Sequence, residues 1–334
     1  MKLVTGATGM VGANLVLKLL EQNTKIRAIY RNEDSINKTL SFFKYKEKET
    51  LFYKIEWVKA DLCDIPALES AFEGIQEVYH CAALVSFDPN DERKLRQTNI
   101  EGTANMVNLS IAYGINKFCY VSSIAALGET LSPDKTIDEK TNWNPELYHS
   151  DYAITKYGAE MEVWRGTQEG LKAIIVNPGI IFGAGFRYEG SNEFFRKIEK
   201  DFPFYTKGLT GIIAVEDVVE IMVQLMQNDQ YNEKFVLVSE NLTYQELLTY
   251  IAEQMNKKPP YIYANPLGSK IAWRLDAFIA FITRKKRSFT KALAISSHTT
   301  YTYKSTKVKK TLAFTFTPYT TYIPKIVRYH RSNK

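Results

Sequence analysis

Tyr152-Ala-Ile-Thr-Lys156 places a phenol and an ammonium four residues apart, which on a helix is one face. An ammonium beside a phenol favours the phenolate and lowers the tyrosine pKa. The phenol can then pass a proton to or from a substrate oxygen near neutral pH. The same spacing arises by chance on any amphipathic helix, so position has to separate the two readings. The apolar run Lys117–Ser122 that precedes this helix reads as a strand and ends in Ser122-Ser123. A serine hydroxyl there can hydrogen-bond the oxygen that the tyrosine protonates.

A second stretch points to a ligand with phosphates. Thr5-Gly6-Ala7-Thr8-Gly9-Met10-Val11-Gly12 joins the apolar pair Leu3-Val4 to an apolar-periodic segment, Val11–Leu20. That is strand, glycine turn, helix. Gly6 permits the tight turn. Gly9 lets the backbone approach a pyrophosphate, and Gly12 lets the helix pack close to the strand. The helix N-terminus offers unpaired N–H groups and the positive end of its dipole. The glycine spacing is three and three, not that of the commonest dinucleotide fingerprint.

The elements that must position these groups follow in order. Lys25–Tyr30, Glu56–Ala60, Val78–Ala83, Lys117–Ser122 and Ala173–Asn177 read as further strands. Between them lie a helix with a loop in Thr39–Lys54, a short helix capped by Asp64 with Pro66 in its first turn, and long helices over 92–113 and 151–168. Strands alternating with helices make βαβ units, hence an α/β fold with a doubly wound parallel sheet of Rossmann type. Its ligand crevice lies outside the C-terminal strand ends. The glycine loop, Arg31, Asp61, Ala82-Ala83, Ser122-Ser123 and Asn177-Pro178 all fall there.

Past Pro178 the pattern loosens. Gly179–Gly190 reads as loop, 215–227 as helix and 235–238 as strand, and Thr243 with Glu246 opens a helix to Asn256. Two units are expected: a dinucleotide-binding domain over 1–178, to whose sheet later segments return, and a smaller substrate lobe over 179–334. Aromatic density in Phe186–Phe204 and Pro266–Phe289, without helix or strand regularity, suggests a mobile apolar roof over the crevice, with a membrane-surface role for Ile271–Ile282 and its basic flank as the competing use.

With 45% apolar and 24% charged residues, the 334-residue chain buries a sizeable core as an ordinary globular protein does. The formal charge of +6 raises nucleic acid as a partner, but the excess clusters in Arg284–Arg287 and Lys304–Lys310, with no binding module or stacking motif. Cys63, Cys81 and Cys119 lack the spacing of a disulfide framework or zinc site, and no His/Cys/Asp cluster suits a metal. No signal peptide precedes the first strand. The longest apolar run, Ile271–Ile282, is too short to span a bilayer and contains Arg274 and Asp276. A reducing cytoplasm is expected. His80 and His149 read as structural.

Taken together, TGATGMVG, His80-Cys-Ala-Ala83, Asn99-Ile-Glu-Gly-Thr103, VSSIAALG, YAITK and Asn177-Pro178-Gly179 resemble, in this order, the extended short-chain dehydrogenase/reductase family. The match covers residues 1 to about 220, and HCAALVSFD is similar to dihydroflavonol 4-reductase-like and 3β-hydroxysteroid dehydrogenase-like members. The resemblance implies that Tyr152 is the general acid/base and that Lys156 binds the nicotinamide ribose and lowers the Tyr152 pKa. Ser123 would hold the substrate oxygen, and Asn99 would support a relay water. It further implies coenzyme contacts from Thr5, Gly6, Thr8, Gly9, Met10, Val11, Gly12, Asp61, Leu62, Ala82, Ala83, Pro178 and Ile180. Substrate contacts would come from Val85, Phe87, Ile124, Leu127, Tyr148 and Ile181. Members often dimerise through the helices matching 92–113 and 151–168, so a homodimer is one expectation.

Three functions fit. The first is a reductase interconverting a carbonyl and an alcohol on a small apolar or aromatic substrate. The second is a nucleotide-sugar epimerase or dehydratase, whose Arg-x-Gly-Asp tract is missing from the C-terminal half. The third is a non-catalytic dinucleotide-binding regulator, which usually loses the tyrosine or the lysine. Arg31 stands where an NAD-binding carboxylate would be and, with Lys38, matches the arginine and lysine of dihydroflavonol reductase-like members. NADP(H) is therefore expected over NAD(H). If Arg31 is merely solvated, Glu33 takes the ribose and NAD(H) is the coenzyme.

Overall fold

The structure is a computed structural model and describes residues 1–130, 134–187 and 190–332. Seven parallel strands form one sheet: β1 (Lys2–Thr5), β2 (Ile26–Tyr30), β3 (Glu56–Lys59), β4 (Glu77–His80), β5 (Lys117–Val121), β6 (Ala173–Pro178) and β7 (Glu233–Leu237). Their order is β7-β6-β5-β4-β1-β2-β3. Successive side chains point to opposite faces. Leu3, Val78 and Phe118 accordingly join one buried cluster, with Leu68, Met106 and Val163 from the helices below. Val4, Tyr79 and Cys119 join the other, with Leu15, Val16, Ile221 and Met222. Strand order reverses at β1, so the connections leaving β1 and β4 run in opposite directions and open a crevice between them.

Helix α1 (Met10–Glu21) follows β1, and α2 (Glu33–Tyr45) follows β2. The second starts earlier than the periodicity suggests, because Asn32 caps it by accepting from the Asp34 N–H at 3.0 Å. The expected helix 92–113 is α3, Glu92–Leu95 running into Gly102–Ala112 through a π-turn at Arg96–Glu101. The widened turn carries Asn99 inward, where its amide holds backbone rather than helix. Helix α4 (Asp151–Gln168) is capped by Ser150 through the Ala153 N–H.

The second half is more regular than expected. Ile180–Phe182, inside the expected loop, is a strand that pairs in parallel with Leu209–Ala214. The latter pairs antiparallel with Glu240–Thr243. Three residues are too few to show a period. Pro266–Thr283, expected to be irregular, is an eighteen-residue helix, α5, capped by Asn265 and opened by Pro266. Within the other roof segment Glu193–Glu199 is helical, and Tyr188 and Glu189 lie outside the described residues. The capping box of Thr243 and Glu246 is present as expected.

Candidate active site

The glycine loop is held by steric demands that come from the chain itself. Gly6 has φ +67°, and a Cβ on it would lie 2.7 Å from the Ala82 nitrogen. A Cβ on Gly12 would lie 2.2 Å from the Gly6 carbonyl oxygen. Gly9 differs: a Cβ there would meet only the Gly6 oxygen, at an ordinary 3.5 Å. Nothing in the packing requires Gly9 to be glycine, and the space a side chain would fill lies at the N-terminus of α1. No side chain caps α1. Met10, Val11 and Gly12 sit in its first turn, where N–H groups have no intrahelical acceptor. A backbone cradle of this kind fits a pyrophosphate.

Behind the loop, the Thr5 hydroxyl accepts from the Ala82 N–H at 3.1 Å and bonds His80 Nδ1 at 2.7 Å. His80 Nε2 bonds the Thr103 hydroxyl at 3.0 Å, and burial pushes the imidazole pKa down to about 3. His80 is thus a neutral strut between β1, β4 and α3. His149 is also structural, bonded to the Asn144 carbonyl and stacked on Trp143. Gly12→Ala is expected to collapse this arrangement. The fold loses about 1–3 kcal/mol and coenzyme binding goes with it, as denaturant melts and a coenzyme titration of the variant would show.

Across the crevice Tyr152 sits in the first turn of α4, with its phenol close enough to Ser123 for that hydroxyl to favour the phenolate. Ser123 is extended, with φ −161°, and its Oγ accepts from the Ala125 N–H at 3.1 Å. Ser122 is buried and donates to Glu160 Oε2 at 2.8 Å, which leaves Ser123 as the serine that faces the tyrosine. The edge of the Phe87 ring packs on the Tyr152 ring, centroids 5.6 Å apart.

Lys156 departs from expectation. Its ammonium donates to the Tyr120 hydroxyl at 2.8 Å and the Val121 carbonyl at 2.7 Å, over the Tyr120 ring. Burial pushes its pKa down to about 7, against the opposing pull of Glu160. The Tyr152 pKa is raised, not lowered, because burial outweighs the Ser123 hydrogen bond. Burial thus sets the direction of the Tyr152 shift. The lysine side chain leaves the helix one turn further on and lies on the sheet.

Residues 2–237 match the NAD dependent epimerase/dehydratase family. The chain belongs to that family. It is 27% identical over 269 residues to sterol demethylase protein B of Methylococcus capsulatus, covering 79% of this chain and 77% of that one. It is 29% identical to a putative dihydroflavonol 4-reductase of Synechocystis, covering 75% and 71%, and 26% identical to the UDP-glucose 4-epimerase of Vibrio cholerae, covering 82% and 83%. The crystal structure of gox2253 superposes with a TM-score of 0.80 at 24% identity, over 100% of this chain and 98% of that one. At that identity the superposition establishes the shared fold.

The other expected residues are placed as follows. Arg31 follows β2 and lies 3.6 Å from the Asp61 carboxylate, both side chains about half exposed. Lys38 is exposed on α2. Leu62 is buried against Gly102, and its carbonyl accepts from Asn105. Thr8 and Ala82 are half-buried and Ala83 is exposed at the crevice. Pro178 ends β6, and Ile180 begins the next strand. Asn99 Oδ1 accepts from the Leu84 N–H at 2.7 Å, while its Nδ2 donates to the Leu84 carbonyl and the Thr155 hydroxyl.

Among the expected substrate contacts, Phe87 and Tyr148 line a cavity of about 200 Å³ with Ser150, Asp151, Trp273 and Arg287. Val85 is exposed, and Ile124 and Ile181 are half-buried. Leu127 is 1% exposed and packs with Ile137, Val236 and Val238, so it belongs to the core. A larger open cleft of about 400 Å³, lined by Glu92, Arg93, Arg96, Gln97 and Glu101, touches none of these groups. Among the described residues no His/Cys/Asp/Glu group suits a metal, and the three cysteines are unbridged.

Two residues were missed. Glu160 is fully buried and takes hydrogen bonds from Ser122 and Asn177, with Lys234 at 3.5 Å. Tyr120 holds Lys156. Glu160 lies four and eight residues beyond Lys156 and Tyr152, on the same face of α4, and that spacing was the available sign.

Proposed function

We propose that this chain is an NADP(H)-dependent reductase of the family, interconverting a carbonyl and an alcohol on a small apolar or aromatic substrate. The observation that carries it is the placement of Tyr152 beside Ser123 and against Phe87, whose ring in turn lines a cavity with Tyr148 and Trp273. Tyr152 gives its phenolic proton to the carbonyl oxygen in reduction and takes it back in oxidation. Ser123 holds that oxygen in place. Asn99 fixes the Leu84 backbone and Thr155, and so the wall and helix from which Phe87 and Tyr152 project. A nicotinamide bound in the crevice supplies or accepts the hydride. The cradle at Gly9 would hold the coenzyme pyrophosphate, Asp61 and Leu62 its adenine end, and Lys156 its ribose. The substrate lobe would comprise most of 179–334.

A reductase predicts turnover on a panel of ketones, aldehydes and alcohols, read by nicotinamide absorbance with both coenzymes. UDP-glucose belongs on the panel because one relative is a UDP-glucose 4-epimerase. Conversion of UDP-glucose alone, with every simple carbonyl inert, would overturn the reading.

Coenzyme choice rests on Arg31. Its partner Asp61 is exposed, and such a pair contributes little, so the guanidinium can turn to a 2′-phosphate. Arg31→Ala is expected to weaken NADPH binding about tenfold or more and to leave NADH nearly unchanged, since a hydrogen bond to a charged group contributes roughly 1.5–3 kcal/mol. Titrating both coenzymes against wild type and variant decides it. Equal loss of both removes Arg31 as the selector.

A further inference from the structure

Helix α5 turns an apolar face outward. An ordinary surface helix turns its apolar stripe to the core and its polar face to water. Here the inner face mixes polar groups with Trp273, Ala277 and Ala280. Ser269 is buried and bonds His298, while Asp276 accepts from Ser288 and faces Arg287. The outer face is apolar: Ile271 is 53% exposed, Phe278 63% and Phe281 83%. Leu267, Leu275 and Ile282 lie on the same side, at the spacing of successive helical turns, and are equally bare. A single exposed leucine needs no explanation, but a continuous apolar stripe of this length does.

The charge around the stripe says what covers it. From residue 254 to the end the chain has seventeen lysines and arginines against one acid, Asp276. The whole chain carries only +6, so the rest of it is net acidic. Arg284, Lys285 and Lys286 leave the C-terminus of α5 directly beside Phe281 and Ile282, and all three are exposed without an acidic partner among the described residues. Lys270 flanks the stripe, and Arg274 within it folds back to donate to the Lys270 carbonyl and lie over the Trp273 ring. Just ahead of it, Tyr261 is 62% exposed beneath the Lys258 ammonium. No described helix is long and apolar enough to cross a membrane.

We propose that α5 and its basic flanks dock the protein on an anionic lipid surface, with the helix lying in the interface plane. Apolar residues on one side, cations at the rim and aromatic anchors are the chemistry of interfacial helices. A second copy of the chain would bring the same cations against themselves. A nucleic acid would use the cations and leave the apolar stripe in water. Only a surface that is both apolar within and anionic at its edge satisfies both features. Docking is independent of the reaction assigned above. Trp273, on the inner side of the same helix, lines the cavity next to Phe87, so the docked helix would separate lipid from that cavity.

Co-sedimentation of the full chain tests this with two vesicle types, phosphatidylcholine alone and phosphatidylcholine mixed with phosphatidylglycerol. The protein should pellet with the mixed vesicles at low salt and be released as salt rises. The variant Arg284→Gln/Lys285→Gln/Lys286→Gln should partition about a hundredfold more weakly. The variant Phe278→Ser/Phe281→Ser should stay in the supernatant. All five altered side chains are exposed, and gel filtration with coenzyme titration checks that each variant is folded. Wild type left in the supernatant with the mixed vesicles overturns the proposal, as does unchanged pelleting of the serine variant. If that variant instead turns a dimer into a monomer and vesicle binding is absent, the stripe is a self-association face. If wild type and serine variant both bind duplex DNA equally and neither pellets with lipid, the patch is a nucleic-acid surface.

Discussion

Tyr152→Phe keeps coenzyme binding and lowers turnover by about 10²–10⁴-fold, the usual contribution of a positioned acid or base. The ring and its packing against Phe87 remain, so the crevice keeps its shape. What goes is the one proton that the site can hand to a carbonyl oxygen. Ser123 cannot replace it, because an aliphatic hydroxyl is a much weaker acid than a phenol. Burial raises the Tyr152 pKa in the coenzyme-free chain, so its neutral, proton-donating form dominates before substrate arrives. Reduction should therefore show a broad plateau at neutral pH and fall only when the phenol ionises on the alkaline side. Turnover of the variant within a few-fold of wild type on the best substrate would remove Tyr152 from the chemistry.

Lys156→Met is expected to abolish turnover and to make the coenzyme-free protein more stable, two effects of opposite sign from one side chain. The ordinary lysine pKa is 10.5, and burial takes Lys156 to about 7. Between those values the unfolded chain holds a proton that the folded chain has shed. Raising pH through the window thus stabilises the wild-type fold, by up to about 1.4 kcal/mol per unit. Below pH 7 both states are protonated, and the whole cost of a buried ammonium is present. Methionine fills the same space without that cost. Above pH 9 the Cys81 thiol, pushed up by burial to about 12, pulls the other way, because the unfolded thiol ionises first. The clean window is pH 7 to 9. Denaturant melts across it should rise for wild type and stay flat for the variant, while coenzyme titration reports the lost ribose donor. Equal slopes for the two proteins would show that Lys156 is charged in the fold throughout.

The α/β class and the crevice were legible in the chain because they rest on local pattern. Apolar runs at regular spacing, glycines at 6, 9 and 12, and caps at Asp64 and Thr243 act within a few residues of themselves. So does the placement of Ser123 and Tyr152 at one sheet edge, since a strand end and the next helix start meet there in a parallel sheet. The direction in which Lys156 points was not legible. It depends on Tyr120 and Val121, thirty-six and thirty-five residues away on a strand, and on the burial that their packing imposes. The role of Asn99 depends likewise on Leu84 and Thr155, and Leu127 sank into the core only because β7 returns from the far end of the chain to stand beside β6. Composition made Pro266–Thr283 look like irregular roof. Its helix is plain from Asn265 and Pro266, but which face it shows depends on Arg287, Ser288 and His298 drawing its polar side inward. Sequence order carries what neighbours along the chain impose on one another. The fold decides what distant residues impose, namely which side chains are buried, which charges are held and which apolar surface is left facing out.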